Sequence, residues 1–204
     1  MQDSNFYNCI ENKATAEFTD RGSRFIAYAY PVASIDTFKA CLAEVKKMHP
    51  KASHYCFAYR IGHDGITYRV TDAGEPSGTA GRPILGQIDA HQLTNTLVIV
   101  VRYFGGTLLG VPGLIHAYKS TASMVLQLIP TVKKKIEIPY EIQFDYTVMN
   151  EVMTLIKKYE CRVVQQEQQL FSVIELGIPK IVEQEVVEKM KEIRGLDIKK
   201  KAIQ

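Results

Sequence analysis

The sequence predicts an α+β protein of two domains, and three observations predict it. Stretches with strand periodicity alternate with stretches of helical periodicity along the whole 204-residue chain. Two glycine-rich loops, Gly74 to Gly81 and Gly105 to Gly110, bracket a short helical pattern and an apolar strand. The composition then changes at Pro130, followed by the basic run Lys133-Lys134-Lys135. The boundary is placed there, giving a first domain over residues 1–131 and a second over 132–204.

Ala14 to Phe18 and Ser23 to Tyr30 read as a hairpin, with Thr19-Asp20-Arg21-Gly22 as its turn. Ser34 can cap a helix whose apolar stripe is Ile35, Phe38, Leu42, Val45 and Met48, and Pro50 stops it. His54 to Ile61 and Ile66 to Val70 flank His63-Asp64-Gly65, a hairpin signal because Asp and Gly tolerate positive φ. Pro83 suits the first turn of a helix through Ile84, Leu85 and Ile88. Leu97 to Val101 is β-branched and continuously apolar, as in a strand buried on both faces. Pro112 introduces a helix to about Ile129 that is apolar almost all round, so it is placed in the core.

The second domain reads as strand (Glu141 to Tyr146), helix (Val148 to Tyr159) and strand (Cys161 to Gln166). A polar hairpin tip (Gln165 to Gln169), a strand (Leu170 to Ile178), a helix (Ile181 to Arg194) and a strand (Leu196 to Ala202) follow. Gly195 stands where a helix C-cap favours glycine. Strand-helix-strand-strand-helix-strand is the ferredoxin-like order.

Bulk properties exclude several classes. With 46% apolar residues the chain can build a core without disulfides. A net charge of +3 falls short of an autonomous nucleic-acid-binding domain, so any nucleic acid would meet a local patch. Cys9, Cys41, Cys56 and Cys161 form no C-x-x-C pair and read as reduced, mostly buried thiols. The histidines lack metal-ligand spacing, so neither metal nor cofactor is expected. No basic start precedes an apolar run, and no run would span a bilayer. A cytoplasmic protein without a membrane partner is expected.

The chemistry concentrates between Asp72 and Tyr118. If a helix starts near Thr79 to Pro83, its first N–H groups lack partners and form an anion site. Ser77 and Thr79 add hydroxyls and Arg82 a guanidinium matched to phosphate, over the turns of Gly78 and Gly81. The bland alternative is a helix cap in which Ser77 or Thr79 bonds the backbone. Glu75 is a base, an acceptor for a base edge, or, the favoured role, an ion-pair partner of Arg82 that holds the loop in shape. Arg102 and Tyr103 end the buried strand. Tyr103 or Phe104 could stack on a base with Arg102 on a phosphate, or Arg102 could pair with Asp72 or Glu75. His116 and Lys119 share a helical face, and Tyr118 points elsewhere. No catalytic triad is legible, so no catalytic residue is assigned. The lysine run is read as a solvated linker.

The runs DAGEPSGTAGRPIL and LVIVVRYFGGTLLGVPGLIHAY resemble the YigZ/IMPACT family, and the tail is similar to the second domain of its bacterial two-domain type. The family's pattern has a second acid where Ala73 stands and glycine where Pro112 stands. The first departure weakens any two-carboxylate mechanism. The resemblance implies a first domain similar to the fold shared by a small-subunit ribosomal protein, elongation factor G and the GHMP kinases. It implies a ferredoxin-like second domain similar to one of elongation factor G. It carries over Glu75, Ser77, Gly78, Thr79, Gly81, Arg82, Arg102, Tyr103, Gly105, Gly106, Gly110 and Tyr118 as motif residues. Eukaryotic members regulate translation by binding an activator of a stress-responsive initiation kinase. The expectation is a translation-associated regulatory protein that binds RNA or the ribosome. An enzyme on a small phosphorylated metabolite or nucleotide, and a protein-interaction module in stress regulation, are the alternatives.

Overall fold

The computed structural model describes residues 5–168 and 171–201. The structure is mixed α and β, and it divides into two compact units, residues 7–134 and residues 5–6 with 135–201. No helix of the described residues is long and apolar enough to cross a membrane.

In the first unit β1 (Phe6–Cys9) precedes the hairpin of β2 (Ala14–Asp20) and β3 (Ser23–Pro31). Asp20 pairs with Ser23, so only Arg21 and Gly22 form the turn, both at positive φ (45° and 78°). That is the twist a two-residue hairpin needs. Ser34 caps α1 (Ile35–Met48): its Oγ accepts from Thr37 N at 3.2 Å. Asp36 in the first turn and Lys46 and Lys47 in the last complement the helix dipole. The hairpin of β4 (His54–Ile61) and β5 (Thr67–Thr71) follows, then α2 (Gly81–Ala90), β6 (Thr96–Tyr103), α3 (Gly110–Gln127) and β7 (Val132–Lys135).

The main sheet runs β2-β3-β6-β4-β5, and every neighbouring pair is antiparallel. β6 is its centre and is buried along Thr96 to Arg102. Alternation divides its side chains between two cores. Val98 and Val100 join Ile84 and Ile88 of α2 and Leu114, Ala117 and Val125 of α3. Leu97, Ile99 and Val101 join Phe38 and Val45 of α1. The continuous apolar run is thus a strand covered by helices on both faces.

The second unit runs β8 (Glu137–Phe144), α4 (Met149–Lys158), β9 (Arg162–Gln168), β10 (Ser172–Pro179), α5 (Glu183–Glu192) and β11 (Leu196–Lys200). Its antiparallel sheet has the order β11-β8-β10-β9. Ile142, Phe144, Ile174 and Ile178 of its strands and Val152, Val186 and Met190 of its helices are buried.

Several sequence expectations need correction. α3 is not buried all round, since Val111, Ile115 and Met124 are exposed. A helix lying on a sheet buries only one side, and here the other is apolar too. The lysine run lies in a strand, β7, which pairs with β1. Lys134 bonds Glu11 at 2.9 Å and Lys135 bonds Glu160, so the run is a paired strand and not a linker, although Lys133 and Lys135 stay exposed to solvent. β8 begins at Glu137, and Tyr146 belongs to a short 3-10 turn instead of the strand. Gln169, Leu170 and Ala202 lie outside the described residues.

Candidate functional site

The Gly74 to Gly81 loop folds around Asp72. Its Oδ1 accepts from Ala80 N at 3.0 Å and Gly81 N at 2.8 Å, and its Oδ2 from Gly78 N at 2.9 Å. Glu75 N donates to Asp72 O at 2.9 Å, and Thr79 N to Pro76 O at 3.1 Å. Pro83, in the first turn of α2, has no N–H. The anion that this helix start holds is therefore the chain's own carboxylate. Burial pushes the Asp72 carboxyl up, but the amides of Gly78, Gly81 and Ala80, with help from Arg82, hold it below its ordinary value. The expectation of free loop amides is corrected on this geometry. The cap is Asp72, and neither Ser77, which is exposed, nor Thr79, whose Oγ1 donates to Pro76 O at 2.7 Å, replaces it.

Beneath the loop lies a second network, formed where β6 and α3 pass each other. Arg102 Nη1 donates to Glu75 Oε1 at 2.8 Å and Oε2 at 3.1 Å. Tyr118 Oη donates to Glu75 Oε1 at 2.8 Å, and Arg102 Nη2 to Ser23 Oγ at 3.2 Å. Glu75, Arg102 and Tyr118 are 9%, 5% and 0% exposed. The guanidinium is flanked by the rings of Phe25 at 5.4 Å and Phe104 at 5.5 Å, and its Nε is buried without a hydrogen bond. Cys56 Sγ sits 3.3 Å from Tyr118 Oη and 3.0 Å from Asp72 O. Burial pushes that thiol up to about 12 and the Tyr118 phenol well above its ordinary range. Neither group ionises near neutrality. His54 borders the network, with Nδ1 2.9 Å from Ala73 O and Nε2 3.8 Å from Glu75 Oε1.

Arg102 is thus locked to Glu75, the ion pair that stood as one alternative, so it does not reach out to a phosphate and the expected Glu75 pairing with the exposed Arg82 is corrected. Tyr103 cannot share a ligand with it, because successive residues of a strand face opposite ways. Tyr103 packs against the α1 side, with its Oη 2.9 Å from His49 Nδ1. Burial lowers the His49 pKa. Phe104, half exposed, is the ring left at the mouth of the site.

Gly105 is fixed by close approach. A Cβ there would lie 1.9 Å from Gly22 C and 2.2 Å from Ser23 N, and Gly105 N donates to Ser23 Oγ at 3.2 Å. Gly106 and Gly110, both exposed, begin and end the rest of that loop. Arg82 and Lys119 are exposed on α2 and α3. His116, also exposed, touches only the Phe18 ring edge-on at 6.0 Å among the ring contacts of the described residues.

Sequence reading missed Ser23, Cys56 and His54, which lie far from the motifs along the chain. It gave Asp72 only as a possible partner of Arg102, although an aspartate just before a glycine turn commonly caps the backbone that follows. Among the described residues, no group of three or more His, Cys, Asp or Glu side chains could hold a metal ion.

Comparison with known proteins agrees with these motifs. The model of the Impact N-terminal domain matches residues 21–126. The chain is 35% identical to an IMPACT family member of Haemophilus influenzae, covering 76% of this chain and 77% of that protein. It is 31% identical to the IMPACT family member YigZ of Escherichia coli, covering 77% and 78%. A crystal structure of a hypothetical protein, 26% identical, superposes with a TM-score of 0.76 over 98% of this chain and 100% of that one. The chain belongs to the IMPACT family.

Proposed function

We propose that this chain is a cytoplasmic binding protein of translation control that contacts RNA, on the ribosome or free, around the mouth of the loop site. Phe104 is the single observation that carries the reading. Its half-exposed ring is backed by the Arg102 guanidinium at 5.5 Å, which leaves the other face for a nucleobase. The exposed cations Arg82 and Lys119 then contact phosphates, with Ser77 as a polar neighbour on the loop. Glu75, Arg102 and Tyr118 form the scaffold that aims the loops. Family membership supports the setting in translation. The same proposal includes the domain boundary at residue 131, the ribosomal-protein-like fold of the first domain and the ferredoxin-like fold of the second.

A role as an enzyme on a small phosphorylated metabolite draws less support. Three loop amides that would cradle such a phosphate are taken by Asp72.

The test is binding of a labelled single-stranded RNA and of ribosomes. Phe104→Ala should weaken binding by about 1–3 kcal/mol, the value of one stacked base. Arg82→Ala should weaken it for every sequence alike. RNA affinity indifferent to both substitutions would sink the reading.

A further inference from the structure

We propose that the open edge of β5 is a docking site for an extended acidic peptide of a partner protein, which would join the main sheet as a sixth strand. β5 ends the sheet order β2-β3-β6-β4-β5, so no strand of the described residues covers its outer side. Thr67, Tyr68 and Arg69 are exposed, as is Ile66 just before them. An uncovered edge offers main-chain donors and acceptors to an incoming strand.

What lies on each side of that edge indicates the occupant. On the α2 side is a cavity of about 430 Å³ whose lining includes Arg60, Tyr68, Arg82, Gly86 and Asp89. On the α1 side is another of about 320 Å³, lined in part by Lys46, Tyr55 and Arg69. Tyr68 and Arg69 therefore open toward different cavities, as alternation along a strand requires. An added strand would send its own side chains alternately toward these same two spaces. Each space pairs a cation with a tyrosine ring: Arg60 over Tyr68 at 5.1 Å, and Lys46 over Tyr55 at 5.8 Å. The cations are Arg60, Arg82, Lys46 and Arg69. Asp89, bound to Arg60 at 2.5 Å, is the only acid in either lining. The charge thus favours an acidic strand.

Gly86 adds an independent sign. It is exposed in the interior of α2, and a Cβ there would meet nothing within 4 Å. Its bare backbone leaves one wall of the larger cavity open to a partner's side chain. A second copy of this chain is a poor occupant, because two β5 edges would bring like cations together.

The test uses the full chain and a fluorescein-labelled peptide of alternating glutamate and valine, read by anisotropy and by amide hydrogen exchange. Expected results are binding of this peptide, none of its lysine–valine counterpart, and slowed exchange of amides 67–70. Arg69→Glu should weaken binding at least about tenfold. Gly86→Leu, which fills the cavity without touching a charge, should weaken it too. Phe104→Ala should leave it unchanged, which separates this site from the RNA reading. Equal affinity for both peptides, or binding without protection of β5, would overturn the proposal. So would displacement of the peptide by an oligouridylate whose own binding needs Arg69, or a dimer formed through β5.

Discussion

At the scale of single residues, two carboxylates decide what the loop site can do. Asp72 accepts three backbone amides. Asp72→Asn keeps an oxygen for two of them but sets an amide group against the third. It should cost about 1.5–3 kcal/mol at neutral pH, the range for hydrogen bonds to a charged group. The pH dependence follows from the depressed carboxyl. Its stabilisation is complete above the unfolded pKa, near 3.8, and is lost as pH falls through the lower folded value. Denaturation midpoints of wild type and Asp72→Asn should therefore converge in acid. Glu75 is the other case. Glu75→Gln leaves Arg102 as a buried cation without its counter-ion, at a cost of about 3–5 kcal/mol. Replacing both, Glu75→Leu with Arg102→Met, should recover much of that loss, and a double-mutant cycle by urea unfolding measures it. The glycines and the acid inside the loop were legible in the sequence. Which acid met which donor was not, because Ser23, Glu75, Arg102 and Tyr118 come together only through folding.

At the scale of elements, strands and helices with a clear period were readable, and those whose stability comes from pairing were not. Ser34 and the α1 stripe announce a helix, and the turn residues Thr19 to Gly22 announce a hairpin, which the structure tightens to Arg21-Gly22. β7 gives no such signal: its Val-Lys-Lys-Lys run lacks an apolar face, and it is a strand through pairing with β1. The loop glycines differ by the same logic. Gly105→Ala would drive a methyl group into the backbone of the β2–β3 turn, and it should destabilise well beyond the roughly 1 kcal/mol of an ordinary glycine position. Gly106→Ala meets nothing within 4 Å and costs only its positive φ of 85°, about 1–2 kcal/mol. Gly86→Ala, in an exposed helix interior with open space, should stabilise the chain by about 0.5–1 kcal/mol. Thermal melts of the three variants rank them.

At the scale of the whole molecule, the small net charge of +3 hides a local distribution. Lys134, Lys135, Lys199, Lys200 and Lys201 each pair with a carboxylate and so contribute little free cationic surface. Arg82 and Lys119 are different, being exposed around the site without an ion pair to a carboxylate among the described residues, although Arg82 feels the charge of Asp72. The family was legible because two long motifs survive as contiguous words in the sequence. The chemistry of the site was less so, because motif residues such as Arg102 and Glu75 turned inward to build the scaffold. The RNA binding proposed for this chain then depends on the few cations left outside. The most direct measurement is the slope of log affinity against log salt for a single-stranded RNA, with wild type and Arg82→Ala side by side. Each phosphate contact releases counterions, so wild type should show a clear negative slope that Arg82→Ala reduces by about 1. An affinity that stays level from low to high salt would contradict it.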